Sequence, residues 1–427
     1  MSTLSTGTLH STDQLPGETE VLIVGGGPAG ALLGCLLARR GVDVVVVEKQ
    51  ADLEREFRGE SLAAPSVVTL GKLGFGPALR EHGFLETSGI SMRMEGRTVF
   101  HIDYRRFPLG ALPIDIPQPA LIGIFHAAAA NFPNHAYVPG TAFSSLIEEG
   151  GEVCGAVLKR KDGSRAHVRA RLVVGADGRF SKVRKAAGLA ADVQPMERDF
   201  LSFKLPRPAN WGDAAELVAV ADKHVLVVPT FPDFLRIGHN LPKRGLGDLR
   251  AQGFEAFRDG IAAIDPRLGP LLRAHLTSWD DTSFLEIFTA QVPRWSRDGL
   301  VLVGDASHTV TPILGQGVNL AIQDVVCATP VIVRALSETK GSVPAARFTA
   351  FEEERRQHKT LVTKHQRMQE RALSKTGAVA LAARRARYQL LNSLPNKYRM
   401  LDKVINAQHT IDPIDLRAAN QQAATVA

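Results

Sequence analysis

Cysteine and tryptophan are scarce, with three of each in 427 residues. Cys35, Cys154 and Cys327 lie far apart, and none forms a Cys-x-x-Cys pair. That argues against a disulfide framework and a metal site, and for a reducing, cytoplasmic compartment. No run of about 18 apolar residues occurs, which argues against a spanning helix. The first 18 residues are rich in Ser and Thr and lack a basic apolar run, so they read as a loose tail rather than a signal peptide. There is no solenoid repeat and no low-complexity block. Basic residues are not set among aromatics and no nucleic-acid module is present, so nucleic acid is not an expected partner.

Charge is unevenly placed. The net charge is +7, and Arg371 to Ala427 alone holds nine Lys or Arg against three Asp, or +6. Phe348 to Ala383 is helix-prone and charged, with Phe351, Leu361 and Met368 at irregular helical spacing. It reads as a solvated helix leading into a basic arm; docking on an anionic membrane surface or a protein partner is the alternative. The expected state is a monomer or homodimer.

Glycine, in contrast, is concentrated where it matters. Val21 to Val24 is a short apolar run, readable as a buried parallel strand. Gly25, Gly27 and Gly30 then complete Gly-x-Gly-x-x-Gly, around Pro28 and Ala29. The first glycine permits a tight turn, the second lets backbone approach a pyrophosphate, and the third lets a helix pack against the strand. Ala31 to Arg40 is a good helix former with Gly41 as its stop, and its N-terminus suits phosphate. Val42 to Val47 reads as the second strand, ending in Glu48 and Lys49; an acid at Glu48 can accept from a ribose diol. This segment alone does not separate FAD from NAD.

Two later segments separate them. Leu172 to Arg184 (LVVGADGRFSKVR) ends an apolar strand in Asp177 and Gly178. Leu302 to Asp324 (LVGDASHTVTPILGQGVNLAIQD) places Asp305 at another strand end, then Pro312, Gly315, Gln316, Gly317, Val318 and Asn319, with a helix expected from Ala321. Glycines there leave backbone N–H groups free to face an anionic ring, and the helix N-terminus points the same way.

In this order the three segments resemble the motifs of class A flavoprotein monooxygenases, from about Val21 to Arg334. Ile116 to Asn134 is similar to the family's intervening helix. The resemblance implies FAD, with Asp305 on the ribityl chain and Asp177 and Gly178 where flavin and nicotinamide meet. It puts Gln118 on the phosphate-ribityl side, and Arg58 near the pyrophosphate and the incoming nucleotide, as the one catalytic candidate. It implies NADPH or NADH as transient reductant, O2 as co-substrate, and a flavin C4a-hydroperoxide that hydroxylates an aromatic or polycyclic small molecule. Phe57 to Phe75, with its Arg-Gly-Glu-x-Leu stretch, is shared with squalene-type epoxidases, halogenases and isoprenoid-chain reductases. A flavin epoxidase of a lipophilic alkene and an O2-independent reductase therefore stay open. Halogenases carry Trp-x-Trp-x-Ile-Pro, which Trp211, Trp279 and Trp295 do not form.

The expected fold is α/β: a Rossmann-like FAD-binding domain interleaved with a mostly antiparallel β-sheet substrate domain, plus C-terminal helices. The cofactor domain takes residues 19–90, 116–190 and 296–335, the substrate domain 91–115 and 191–295, and the helical region 336–427. Short apolar runs split by Pro229, Pro232 and Asp233 suggest that sheet. Phe231, Phe234 and Phe288 are expected near an apolar pocket, with His224 and His239 as polar members. His308 is as readily a local hydrogen-bonding residue as a catalytic one, and no base for a phenolic substrate can be named. Asp305→Ala should weaken flavin binding; flavin occupancy of the purified variant, read from its visible spectrum, checks this, and unchanged occupancy would misplace the ribityl contact.

Overall fold

The computed structural model describes residues 15–53, 60–221, 223–375 and 377–405. Glu18–Val24 is the central strand of a mixed sheet. It pairs in parallel with Val44–Val47 on one side and Arg165–Gly175 on the other. Leu300–Leu302 and His135–Val138 extend the parallel order outward. All four valines of Val44–Val47 are buried, the mark of a strand covered on both faces. The helices Pro28–Ala38, Gln118–Ala129 and Gln316–Glu338 pack side by side and share one core with the sheet. The antiparallel strands Thr141–Glu149 and Glu152–Arg160 continue from Arg165–Gly175.

The first helix starts at Pro28 rather than Ala31, because proline's fixed φ suits the first helical turn. The second strand starts at Val44; Val42 is buried in the turn before it. Gly25 has φ +110°, and a Cβ there would stand 2.5 Å from the Ala176 carbonyl oxygen. A Cβ on Gly30 would stand 1.8 Å from the Gly25 carbonyl oxygen. The turn, the helix and the neighbouring strand are therefore in backbone contact.

A second sheet has seven strands, in the order Ser283–Leu285, Arg198–Pro206, Phe234–Pro242, Lys223–Thr230, Ala215–Val220, Gly89–Met94 and Arg97–Asp103. It is antiparallel except where Ala215–Val220 meets Gly89–Met94. Leu201, Phe203, Val225, Val227, Leu235 and Ile237 alternate onto one face, covered by Phe257, Ile261, Leu268 and Leu272. By strand parity, Ser202, Lys204, Arg236, Asn240 and His224 lie on the opposite, inward face. Helices Ala378–Ser393 and Lys397–Ile405 bring Tyr388, Leu391 and Tyr398 onto Met92, Met94, Val99 and Phe100.

Two readings of helices change. Gln316–Glu338 is long and apolar enough to cross a membrane, but it is interrupted by Asp324 and packs on Pro28–Ala38 inside the protein. Thr349–Ser374 is solvated on one face only; Phe351 is buried at its start. Its buried stripe is polar: Glu352, Arg355, Lys359, Thr363, Gln366 and Glu370, all under 10% exposed. Leu361 and Met368 face outward instead. The 3–4 residue spacing of an inward face is present, carried by residues that hydropathy assigns to water. Part of the basic excess is likewise internal. Arg384 donates to the carbonyls of Leu373 and Ala221, and Lys397 to that of His101. Lys364, Arg367, Arg371, Lys375 and Arg387 line one groove beside this helix.

Gly30→Ala should cost more than about 3 kcal/mol, since its methyl meets backbone rather than a movable side chain. Gly260→Ala, in helix Phe254–Ile264 with open space around it, should be neutral or stabilising by about 0.5–1 kcal/mol. Denaturant unfolding of both variants checks the contrast.

Candidate active site

Four parallel strands end on one edge. Val24 is level with Val47 and with Gly175, and Gly175 is level with Leu302. Gly25 and Glu48 follow directly, and Asp177 and Asp305 within the next few residues. The chain leaves the central strand toward Val44–Val47 and returns to it on the other side with Arg165–Gly175. That reversal opens a crevice at the carboxyl edge, the usual seat of a dinucleotide.

Glu48 is buried there, accepting from the Gly26 amide at 2.9 Å and the Gln50 amide at 3.1 Å. Lys49 beside it is exposed. Helix Pro28–Ala38 begins after Gly27 with no side-chain cap, so its first amides point into the crevice uncapped by the protein. Gln118 opens helix Gln118–Ala129, half-buried.

Asp177 bonds within its own loop. Its carboxylate accepts from Ser181 Oγ at 2.5 Å, the Lys182 amide at 2.7 Å and the Val183 amide at 3.2 Å, capping helix Lys182–Ala186. Gly178 beside it has φ +79° and open space where a Cβ would stand.

The third motif differs from expectation. Pro312 caps the 3₁₀ turn Ile313–Gly315, and the helix begins at Gln316, five residues before Ala321. Gly317 and Val318 are therefore first-turn residues whose amides have no partner within the helix. Asn319 is turned inward: its Oδ1 accepts from the Ala63 amide at 2.8 Å, and its Nδ2 donates to the carbonyls of Ser61 at 3.2 Å and Gly315 at 2.8 Å. It ties the Ser61–Ala63 segment to this loop. Arg58 lies outside the described residues.

The polar helix holds this loop from behind. Asp324, fully buried, accepts from the Gly304 amide at 2.9 Å, Arg355 Nε at 2.8 Å and Lys359 Nζ at 2.5 Å. Lys359 also donates to Ser307 Oγ, and its ammonium sits 4.5 Å from the Trp295 ring centre. Gln366 bonds the amide and carbonyl of Thr311 and the carbonyl of Ile313. Glu352 accepts from the Trp295 amide and from Ser296 Oγ. Asp305 stands in the turn Gly304–Ala306 that Asp324 grips. His308 is buried and bonds Thr363 at 3.0 Å.

Burial would raise the Asp324 carboxyl, but Lys359 and Arg355 outweigh it and hold it below the usual carboxylate range. Burial, then the Lys359 charge, pushes His308 down to about 3. Both groups bind protons less readily in the fold than in the unfolded chain. The stability they supply is present above their ordinary values and is lost as pH falls: for His308, between about 6.5 and about 3.

A second polar cluster sits on the inward sheet face. Glu60 accepts from Lys204 Nζ at 2.9 Å and from Arg236 Nη2. Asp115 accepts from the Phe231 amide and from Ser61 Oγ, both at 3.2 Å, and lies 3.8 Å from Arg236. Burial pushes Asp115 up to about 6, against the pull of Arg236. His224 is inward and bonds Asn240 at 2.6 Å. His239 is not a pocket residue: it is level with Val225, on the helix-covered face, where its ring meets Phe257. Phe231 contacts His82, and Phe234 is partly exposed with Lys204 over its ring. Phe288 belongs to a separate three-stranded sheet and packs on Phe180 and Arg179 beside the Asp177 loop.

The donor set suits one group. Two phosphates need the uncapped amides, sugar and ribityl hydroxyls need Glu48 and Asp305, and a flat anionic ring needs the Gly317–Val318 amides. A Cβ on Gly178 or Gly317 would meet nothing within 4 Å, so neither loop is closed by protein. These residues fit FAD.

The class defined by fold and crevice is an FAD-binding α/β protein. A family profile described as "FAD binding domain" matches residues 18–234 and 261–366. The 6-methylpretetramide 4-monooxygenase of Streptomyces rimosus is 36% identical over 405 residues, covering 92% of this chain and 94% of that protein. Among solved structures, Pseudomonas aeruginosa PqsL with 2-aminobenzoylacetate superposes with a TM-score of 0.75 at 22% identity, covering 87% of this chain and 98% of that one. The flavin-dependent brominase Bmp2 superposes at 0.72 and 19% identity, covering 96% and 100%. The latter two share the fold alone. The chain belongs to the FAD-dependent class A flavoprotein monooxygenases.

Sequence reasoning reaches neither Glu60, Asp115, Arg236 and Lys204 nor Asp324, Arg355 and Lys359. Glu60 and Asp324 lie inside recognisable motifs, but their partners are 144 and 176 residues from Glu60 and 31 and 35 from Asp324.

Asp324→Asn should cost about 3–5 kcal/mol, because Arg355 and Lys359 stay buried without their anion, and should lower flavin occupancy. His308→Asn should flatten the acid loss of stability between pH 6.5 and about 3. Thermal unfolding across pH, with flavin release as a second readout, checks both.

Proposed function

We propose that the chain hydroxylates an aromatic ring of a polycyclic small molecule, inserting one atom of O2 and using NADPH or NADH as reductant. The observation that carries this is the near full-length likeness to a 6-methylpretetramide 4-monooxygenase, at 36% identity. Bound FAD supplies hydride acceptance and oxygen activation. Glu48 and Asp305 would accept from its sugar and ribityl hydroxyls, and the first-turn amides at Pro28–Gly30 and Gln316–Val318 would face its phosphates and ring. The protein's remaining work is position, charge and exclusion of water. Lys204, Arg236 and Glu60 line the facing wall, where they would orient a polar ring substituent.

The epoxidase and reductase readings rest on the Arg-Gly-Glu-x-Leu stretch. The wall opposes them: a hydrocarbon chain laid on Glu60, Lys204 and Arg236 would remove water from charges without replacing it.

Anaerobic flavin reduction by NADPH and by NADH, across phenols, quinolones, polyketides and polyenes, tests the proposal. A polycyclic phenol should accelerate reduction, and heavy-isotope O2 should leave one labelled atom on its ring. Turnover without O2, or label in an alkene-derived epoxide, would give the activity to the other readings.

A further inference from the structure

Glu60 stands at the meeting of the two walls of the crevice. The carbonyl of the next residue, Ser61, accepts from Asn319 at 3.2 Å, and a Cβ on Gly315 would lie 3.8 Å from Ser61 Cβ. The loop that faces the ring is thus one residue away. On its other side the Glu60 carboxylate meets the inward sheet face, through Lys204 on Arg198–Pro206 and Arg236 on Phe234–Pro242. Asp115, on Ile114–Asp115, completes the charged groups around it among the described residues.

The two acids differ in access. Asp115 is 0% exposed, behind Glu60, with its oxygens bonded to Phe231 and Ser61. The Lys204 and Arg236 side chains keep 26% and 16% of their surface, so the cations reach the edge of the cluster. Two carboxylates and two cations give a cluster that balances only when both acids are ionised. A proton and a second anion arriving together leave that balance unchanged. An isolated anion in so dry a place would be costly.

We propose that Glu60 is the base that takes the hydroxyl proton of a phenolic substrate, and that Lys204 and Arg236 then hold the phenolate. The substrate O–H bond breaks, a bond from Glu60 Oε to hydrogen forms, and the electron pair stays on the substrate oxygen. Nothing is oxidised or reduced in this step. The ring carbons ortho and para to that oxygen gain electron density, as an electrophilic oxygen donor requires. The assignment rests on the aromatic-hydroxylation reading and names its missing base.

The test uses flavin-loaded protein and alizarin, a polycyclic phenol whose colour changes on ionisation. Wild type should ionise bound alizarin at least about one pH unit below its midpoint in buffer, tenfold in ionisation constant. At a pH where free alizarin is neutral, Glu60→Gln should still ionise the bound dye, because both cations remain, but should release the proton to the buffer, where wild type and Glu60→Asp keep it on the carboxyl. Lys204→Gln, which leaves the Glu60–Arg236 pair in place, should raise the bound midpoint; this variant carries the test if Glu60→Gln does not keep its flavin. A wild type that ionises alizarin no earlier than buffer overturns the proposal, as does a wild type that releases as many protons on binding as Glu60→Gln, or a midpoint unmoved in Lys204→Gln. The readout needs neither O2 nor nicotinamide. It therefore fails or succeeds apart from the hydroxylation reading, which the labelled-oxygen experiment decides.

Discussion

The grip of Asp324 on Gly304, Arg355 and Lys359 is the interaction on which the site's geometry depends. A carboxylate at full burial is tolerable only when each oxygen is met by donors, and here two cations and a backbone amide meet it. The result is directional in a way that apolar packing is not. Helix Thr349–Ser374 can dock in one register, because Glu352, Lys359, Thr363 and Gln366 each have a fixed partner on the strand ends and turns behind the crevice, and Arg355 has one on helix Gln316–Glu338. A leucine stripe would hold the helix as firmly but would tolerate a slide of one turn. Catalysis by positioned amides needs that slide excluded, since donors aimed at a ring act through their geometry.

What the sequence revealed follows from the range of the physics involved. The turn at Gly25 to Gly30 was legible because part of its constraint is local: Gly25 holds φ +110°, and a Cβ on Gly30 would collide with the Gly25 carbonyl. Strand-end acids were legible for a similar reason. The polar helix was not, because periodicity arguments assume that the inward face is apolar, and Leu361 and Met368 then look like the buried ones. His239 failed differently. Its strand was readable, but which parity faces the substrate depends on where helices Phe254–Ile264 and Gly269–His275 pack, and those lie further along the chain.

The interleaving has a chemical sense. Glu60 and Asp115 sit where the chain crosses between the cofactor sheet and the second sheet, as the strand pair Ser61–Leu62 and Ile114–Asp115. Crossing segments can touch both the loop proposed to face a flavin ring and the wall proposed to hold a substrate. Asn319 shows the first contact and Arg236 the second. Residues so placed are stabilised by both layers and are hard to displace, which suits a proton acceptor that must keep one position.

The contents of the wall also bear on the kind of substrate. Folds of this type serve a brominase as readily as a hydroxylase, so architecture alone does not choose the reaction. The inward face of the second sheet does constrain it. An alkene offers no proton and no lone pair to Lys204, Arg236 and Glu60, and its binding would strip water from three charges for nothing in return. A phenol offers both. Its proton neutralises one anion while its oxygen replaces that anion, so the same two cations stay satisfied before and after transfer. The electrostatics of the wall are thus already those of the bound phenolate, with Glu60 in the place of the substrate oxygen.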